Sequence, residues 1–298
     1  MPDELVRTLV ARQLPRFAAL GLTRLSASGS SNLLYRLGDD LLVRFPRQLG
    51  GSASIDKEAS YLPLIAAALP VPVPTIVAVG EPELGYPERW SVVRWLDGRP
   101  PDVPVRSGAR LAHDLAGTIT ALHDLPVPPA ATADPALSWY RAGPLRAIDA
   151  DIRRSLADCR AIPGLRLDLA AGERFWDAAM ALPDPPDDRP PRWIHTDLLA
   201  ENLLVRQGRL AALLDFGALA LGHPSIDLIA GWELFGAADR AVFRSALGVD
   251  AIDWAHGRAW AFAIAVMTFP YYWHTMPVRC GHRLVMAGAV LEDYAGNP

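Results

Sequence analysis

Lysine is almost absent from this chain of 298 residues: Lys57 is the single example, so its basic chemistry rests on arginine. Cysteine is nearly as scarce. Cys159 and Cys280 stand far apart with no metal-ligand spacing, so free buried thiols are expected rather than a disulfide framework or a zinc knot. No basic run interrupts a net charge of −4, which argues against nucleic acid as a partner. The longest apolar run, from Ala259 to Pro270, is too short to span a bilayer and reads as a buried helix. The opening residues Met1-Pro2-Asp3-Glu4 are acidic and have no apolar signal region. A cytoplasmic protein with no membrane partner is the expectation.

What is present is a chain that is 51% hydrophobic, enough for a sizeable core in two lobes. Residues 1–96 hold ten basic and nine acidic side chains, and the remainder is mildly acidic. One stretch is dense in chemistry: His195-Thr196-Asp197-Leu198-Leu199-Ala200-Glu201-Asn202, followed by Asp215-Phe216-Gly217. The runs Leu203 to Val205 and Leu210 to Leu214 flank a turn at Gln207-Gly208, and a tight hairpin there brings Asn202 and Asp215 side by side. Phosphoryl transfer needs such a set. An acid–amide pair, Asp215 and Asn202, can hold Mg²⁺ on nucleotide phosphates, while Asp197 orients an attacking hydroxyl and accepts its proton.

These motifs resemble the catalytic and metal-binding loops of the protein-kinase-like superfamily, and are most similar to those of the aminoglycoside phosphotransferase family of small-molecule antibiotic kinases. Leu199 stands where kinases acting on serine or threonine usually carry lysine, and only twelve residues separate Asp215 from Asp227, with no Ala-Pro-Glu after them. Both departures favour a small-molecule acceptor over a peptide. The resemblance implies an α+β, two-lobed fold. Its parts are a small antiparallel sheet with one main helix (residues 1–96) and a larger, mainly helical lobe (residues 97–298). It also implies ATP or GTP as phosphoryl donor, with Mg²⁺.

Within the first lobe, the hairpin from Leu33 to Phe45 follows a polar loop, Ser28 to Asn32, which the resemblance places over the phosphates through Ser30. Arg44 takes the position of the phosphate-contacting base, paired with Glu58 on a helix from Lys57 to Ala68. Lys57 is rejected for that role, because adjacent helical residues do not face each other. The run Val93-Arg94-Trp95-Leu96 before Gly98 is the implied hinge, with Val93 behind the adenine and the backbone of Arg94 and Leu96 offering it hydrogen bonds. His195 and Asp227 are expected to brace the catalytic loop, and His113 and His123 are read as structural. Trp232 and Glu233 are the acceptor-side candidates. The expected acceptor is an aminoglycoside-type antibiotic, which would make the chain a resistance enzyme. The rivals are a kinase of the same fold acting on a sugar, an amino alcohol or a macrolide, and a non-catalytic nucleotide-binding shell.

Overall fold

The structure, a computed structural model, describes residues 1–25, 31–184 and 189–296. The first part of the chain runs α1 (Asp3–Gln13), β1 (Leu22–Arg24), β2 (Asn32–Leu37), β3 (Leu41–Pro46), α2 (Ser52–Ala68), β4 (Ile76–Gly80) and β5 (Trp90–Arg94). Its strands form one antiparallel sheet in the order β1-β2-β3-β5-β4. Side chains alternate between the faces of a strand. Leu33, Tyr35 and Leu37 of β2, Val43 and Phe45 of β3, and Trp90 and Val92 of β5 therefore share one face, packed with Val6, Leu9 and Val10 of α1. Arg44, Ser91 and Val93 fall on the other face. Gly80 pairs with Trp90, and a Cβ there would lie 1.9 Å from the indole, so only glycine lets the ring cover the strand.

Helix α2 begins at Ser52, five residues before the start read from the sequence. The carboxylate of Glu88 accepts the N–H groups of Gly50 and Ser52, both at 2.8 Å, and supplies the acceptor that the helix start lacks in its own sequence. Further along, Leu62 and Ile65 of α2 join a second, larger core.

That core belongs to the rest of the chain. Here lie α3 (Ala109–His123), α4 (Pro129–Thr132), α5 (Asp149–Cys159), α6 (Leu169–Met180), β6 (Arg192–Ile194), β7 (Leu203–Arg206) and β8 (Arg209–Leu213). They are followed by β9 (Ala220–Gly222), α7 (Ala230–Leu234), α8 (Ala237–Leu247), α9 (Ala251–Tyr272) and α10 (Pro277–Gly296). α3 buries the stripe Leu111, Leu115, Ile119 and Leu122, and α9 is buried nearly all round, as a helix without a polar face must be. Strands β7 and β8 form the expected hairpin, while β6 pairs with β9 and aligns the segments before Asp197 and after Asp215.

The chain leaving β5 is pinned to that hairpin. Arg99 and Val205 exchange N–H···O bonds of 3.1 and 2.8 Å, and at Gly98 (φ +147°) a Cβ would come within 2.8 Å of Leu204. Both cysteines are free and buried, and burial pushes the Cys159 thiol up to about 12. No helix among the described residues is long and apolar enough to cross a membrane.

Candidate active site

Strand β6 delivers His195, Thr196 and Asp197 to a cavity of about 380 Å³ between the sheet and the helical part. Thr196 is held at φ +69°, a left-handed conformation costing a β-branched residue on the order of 1–3 kcal/mol. Asp227 over-determines it. Its buried carboxylate accepts the N–H of His195 (2.9 Å) and of Thr196 (2.7 Å), with His123 Nε2 at 3.0 Å. His195 braces from the other side. Its Nδ1 accepts the Asp197 N–H at 3.3 Å, which leaves Nε2–H to donate to the Leu214 carbonyl at 2.9 Å. His195 thus links the backbone of Asp197 to the residue before Asp215.

The side-chain amide of Asn202 donates to Asp197 Oδ2 at 2.8 Å and to the Asp197 carbonyl at 2.9 Å. Asp197 Oδ1 meets Arg141 at 2.5 Å, and the same guanidinium donates to the Thr196 carbonyl at 3.1 Å. Burial pushes the Asp197 carboxyl up, but the charge and hydrogen bond of Arg141, then the charge of Arg283, outweigh it and hold it below the usual carboxylate range.

Asp215 has the opposite balance. Burial raises its pKa, and the neighbouring carboxylates of Glu58 and Asp197 raise it further. It sits at φ +58°, and no described residue donates a hydrogen bond to its side chain. A half-buried carboxylate in this condition, open to the cavity, fits a divalent cation, and the oxygen donors at hand suit Mg²⁺. Across from it, Arg44 forms a two-pronged pair with Glu58 and donates from Nε to Ser91 Oγ at 3.1 Å. Burial lowers the Arg44 pKa, and the Glu58 carboxylate more than restores it. Glu58 also accepts the Phe216 N–H at 3.1 Å and so ties α2, β3 and the Asp-Phe-Gly segment together.

The cavity therefore carries a neutralised ion pair, a half-buried carboxylate to which no described residue donates, and a second carboxylate, Asp197, held ionised. Residues 22–260 match the family model described as the phosphotransferase enzyme family. The chain belongs to that family. No curated protein matches it in sequence. Its structure is similar to a GDP complex of wild-type aminoglycoside 2'-phosphotransferase-IIIa, with 20% identity, 100% and 99% of the two chains covered and a TM-score of 0.72. It is also similar to the streptomycin–ATP–APH(2")-IIa ternary complex (16% identity, 98% of each chain, TM-score 0.64). A third likeness is to macrolide 2'-phosphotransferase MphH from Brachybacterium faecium (20% identity, 97% and 98%, TM-score 0.61). The kinase-like α+β architecture expected from the sequence is thus the one this phosphotransferase-family chain adopts.

Of the residues singled out from the sequence, Arg44, Glu58, Asp197 and Asp215 line the cavity together. Asn202 touches Asp197 from behind, and His195 and Asp227 lie beneath it. Val93 is buried on the sheet face that carries Arg44 and Ser91. The Arg94 N–H donates to the Thr75 carbonyl at 2.9 Å, so that group is not free for an adenine. Leu96 is half-buried, and Ser30 lies outside the described residues, although Ser31 and Asn32 line the cavity.

Trp232 and Glu233 do not reach the cavity. α7 is buried on every side, so Trp232 packs against Trp254 with ring centres 4.5 Å apart and donates to Asp293 at 3.2 Å. Glu233 is fully buried, accepting the Ala200 N–H at 2.6 Å and pairing with Arg283. The residues missed in their place are Trp139, Arg141, Arg279 and Arg283. The only positional signal towards them was Glu201, which sits beside Asn202 in the loop and pairs with Arg279 and Arg283. Glu201, Glu233 and His282 come within 4.8 Å of one another, yet both carboxylates already hold Arg283, which leaves no place for a cation.

Proposed function

We propose that this chain transfers the γ-phosphoryl group of ATP or GTP to a hydroxyl of a small molecule. The observation that carries the reading is one cavity lined by Asp197, Asp215, Arg44 and Glu58, in a chain of the phosphotransferase family. In this reading residues 1–96 serve the nucleotide and residues 97–298 the acceptor. Arg44 faces the phosphates with a charge oriented by Glu58, and a guanidinium is suited to phosphate oxygens. Val93 lies behind the base, with the backbone around Leu96 as its hydrogen-bonding edge and the loop at Ser30 over the phosphates.

Asp215 and Asn202 would hold Mg²⁺, which when bound supplies neutralisation of the phosphate charge. Asp197 accepts the proton of the attacking hydroxyl. Its lowered pKa keeps it ionised at neutral pH, and Asn202 on Oδ2 aims Oδ1 into the cavity. His195 and Asp227 hold the loop. A cytoplasmic setting is part of the proposal.

The structural neighbours' aminoglycoside ligands support an antibiotic acceptor, as expected from the sequence. One observation favours a metabolite instead: Glu201 and Glu233, the carboxylates nearest Asp197 on the helical wall, are both occupied by guanidinium groups.

The nucleotide half is tested by thermal shift. Mg²⁺ with ATP or GTP is expected to raise the melting temperature of the wild type, and Asp215→Ala to lose most of that shift. An equal shift in Asp215→Ala means the metal assignment is wrong.

A further inference from the structure

Beyond Asp197 the cavity is walled by Trp139 and Arg141 on one side and by Tyr272, Arg279 and Arg283 on the other. The carboxylates there are already committed. Glu201 Oε1 accepts from Arg283 at 2.6 Å and faces Arg279 at 3.2 Å, while Glu233 is buried beneath them on Arg283. An amine entering this wall would have to displace guanidinium groups that it cannot replace in geometry.

Arg141 is placed differently. Its carboxylate partner is Asp197 Oδ1, and Oδ2 is taken by Asn202. Asn202 also donates to the Asp197 carbonyl and so fixes the Oδ2 side, and a hydroxyl that approaches Oδ1 shares that oxygen with Arg141. As the hydroxyl proton passes to Asp197 the carboxyl loses its charge, and Arg141, which keeps the Thr196 carbonyl, is then left without an anionic partner unless the acceptor brings one. Arg279 lies over the Tyr272 ring, 5.2 Å from its centre, with its side chain 19% exposed. The Nε–H of Arg283, which also lines the cavity, is buried with no hydrogen-bond partner. The wall is thus rich in donors and cations and poor in acceptors.

We propose that the acceptor alcohol carries an anionic group, a carboxylate or a phosphate, gripped by Arg141 and Arg279 while its hydroxyl faces Asp197. This rests on the phosphotransferase reading above. The acceptor oxygen forms a bond to the γ-phosphorus, and the bond from that phosphorus to the β–γ bridging oxygen breaks. The electron pair leaves with the nucleoside diphosphate, and the hydroxyl proton passes to Asp197. A planar guanidinium pairs two-pronged with either oxyanion, so the chemistry is shared by both acceptor types.

The test uses the full chain with Mg²⁺ and ATP or GTP, reading release of nucleoside diphosphate. The panel is gluconate and glucuronate (carboxylates), glucose 6-phosphate (phosphate), glucose (neutral), and glucosamine and kanamycin (cationic). The expected result is fastest turnover on a carboxylate or phosphate member, whichever is faster naming the oxyanion. Its kcat/KM should exceed that of glucose by about tenfold or more, as a charge-assisted contact allows. Arg279→Gln should collapse that ratio towards one by raising KM for the anion, whereas a merely structural defect would depress both substrates alike. Fastest turnover on glucose or an aminosugar, no turnover on any acid or phosphate, or a ratio unmoved by Arg279→Gln overturns the proposal. Asp215-dependent release of diphosphate with any acceptor, or with water, would still leave the phosphotransferase reading standing. No such release across the panel removes both.

Discussion

The two walls of the cavity use the same side-chain chemistry to opposite effect. On the sheet wall Arg44 and Glu58 satisfy each other, and Asp215 is a half-buried carboxylate to which no described residue donates. On the helical wall Arg141, Arg279 and Arg283 claim every nearby carboxylate, including the one on Asp197. One wall is short of positive charge and the other is short of acceptors. In a low-dielectric cleft such imbalances cost free energy in the empty protein, and bound charges of the missing sign relieve them. The contrast suits a site in which a cation and an oxyanion are brought to opposite sides of one base.

The largest effect belongs to the group between the walls. Asp197→Asn should lower kcat by about 10²- to 10⁴-fold, the usual worth of a general base. Nucleotide affinity by titration calorimetry should change little. Activity near the wild-type level would place the base elsewhere.

Stability separates the walls next. Arg283→Ala leaves Glu233 buried without its charge partner, and should cost about 3–5 kcal/mol in urea unfolding. Arg44→Ala should weaken nucleotide binding more than it lowers stability, because Glu58 keeps the Phe216 N–H. If Arg44→Ala instead destabilises as much as Arg283→Ala while nucleotide affinity is unchanged, the sheet-wall pair is only structural.

The smallest effect is on pH. Arg141 holds the Asp197 carboxyl down, with Arg283 adding to it. With Asp197 as the proposed base the ionised form is the active one, so activity is expected above that pKa and lost as pH falls through it. Arg141→Gln should raise the Asp197 pKa and move the acid limb of the kcat profile to higher pH. An unmoved acid limb would show that the Arg141 contact does not set the ionisation of the base.

The two walls also differ in how far they could be read from the sequence. Asp197, Asn202 and Asp215 come from one contiguous loop and hairpin, whose apolar alternation and turn residues reveal the geometry. Arg44 and Glu58 are 14 residues apart on a neighbouring strand and helix, close enough for strand–helix order to pair them. Arg141 is 56 residues from Asp197, in a segment of short 3₁₀ turns with no periodic pattern. Arg279 and Arg283, spaced as neighbours on α10, look in sequence like an ordinary solvated helix face. Trp232 and Glu233 stand just beyond Asp227 in sequence, but α7 is too enclosed for either to reach the cavity.

Residue order was therefore enough for the kinase-like fold, the hairpin that joins Asn202 to Asp215, and the hydrogen-bonding positions of His195 and Asp227. Local periodicity, turn chemistry and short-range spacing carry that information. The character of the acceptor wall was decided only when the chain folded. It depends on which distant guanidinium groups converge on Asp197 and Glu201, and on which carboxylates burial has already committed. Those are properties of packing between segments, and no single stretch of sequence contains them.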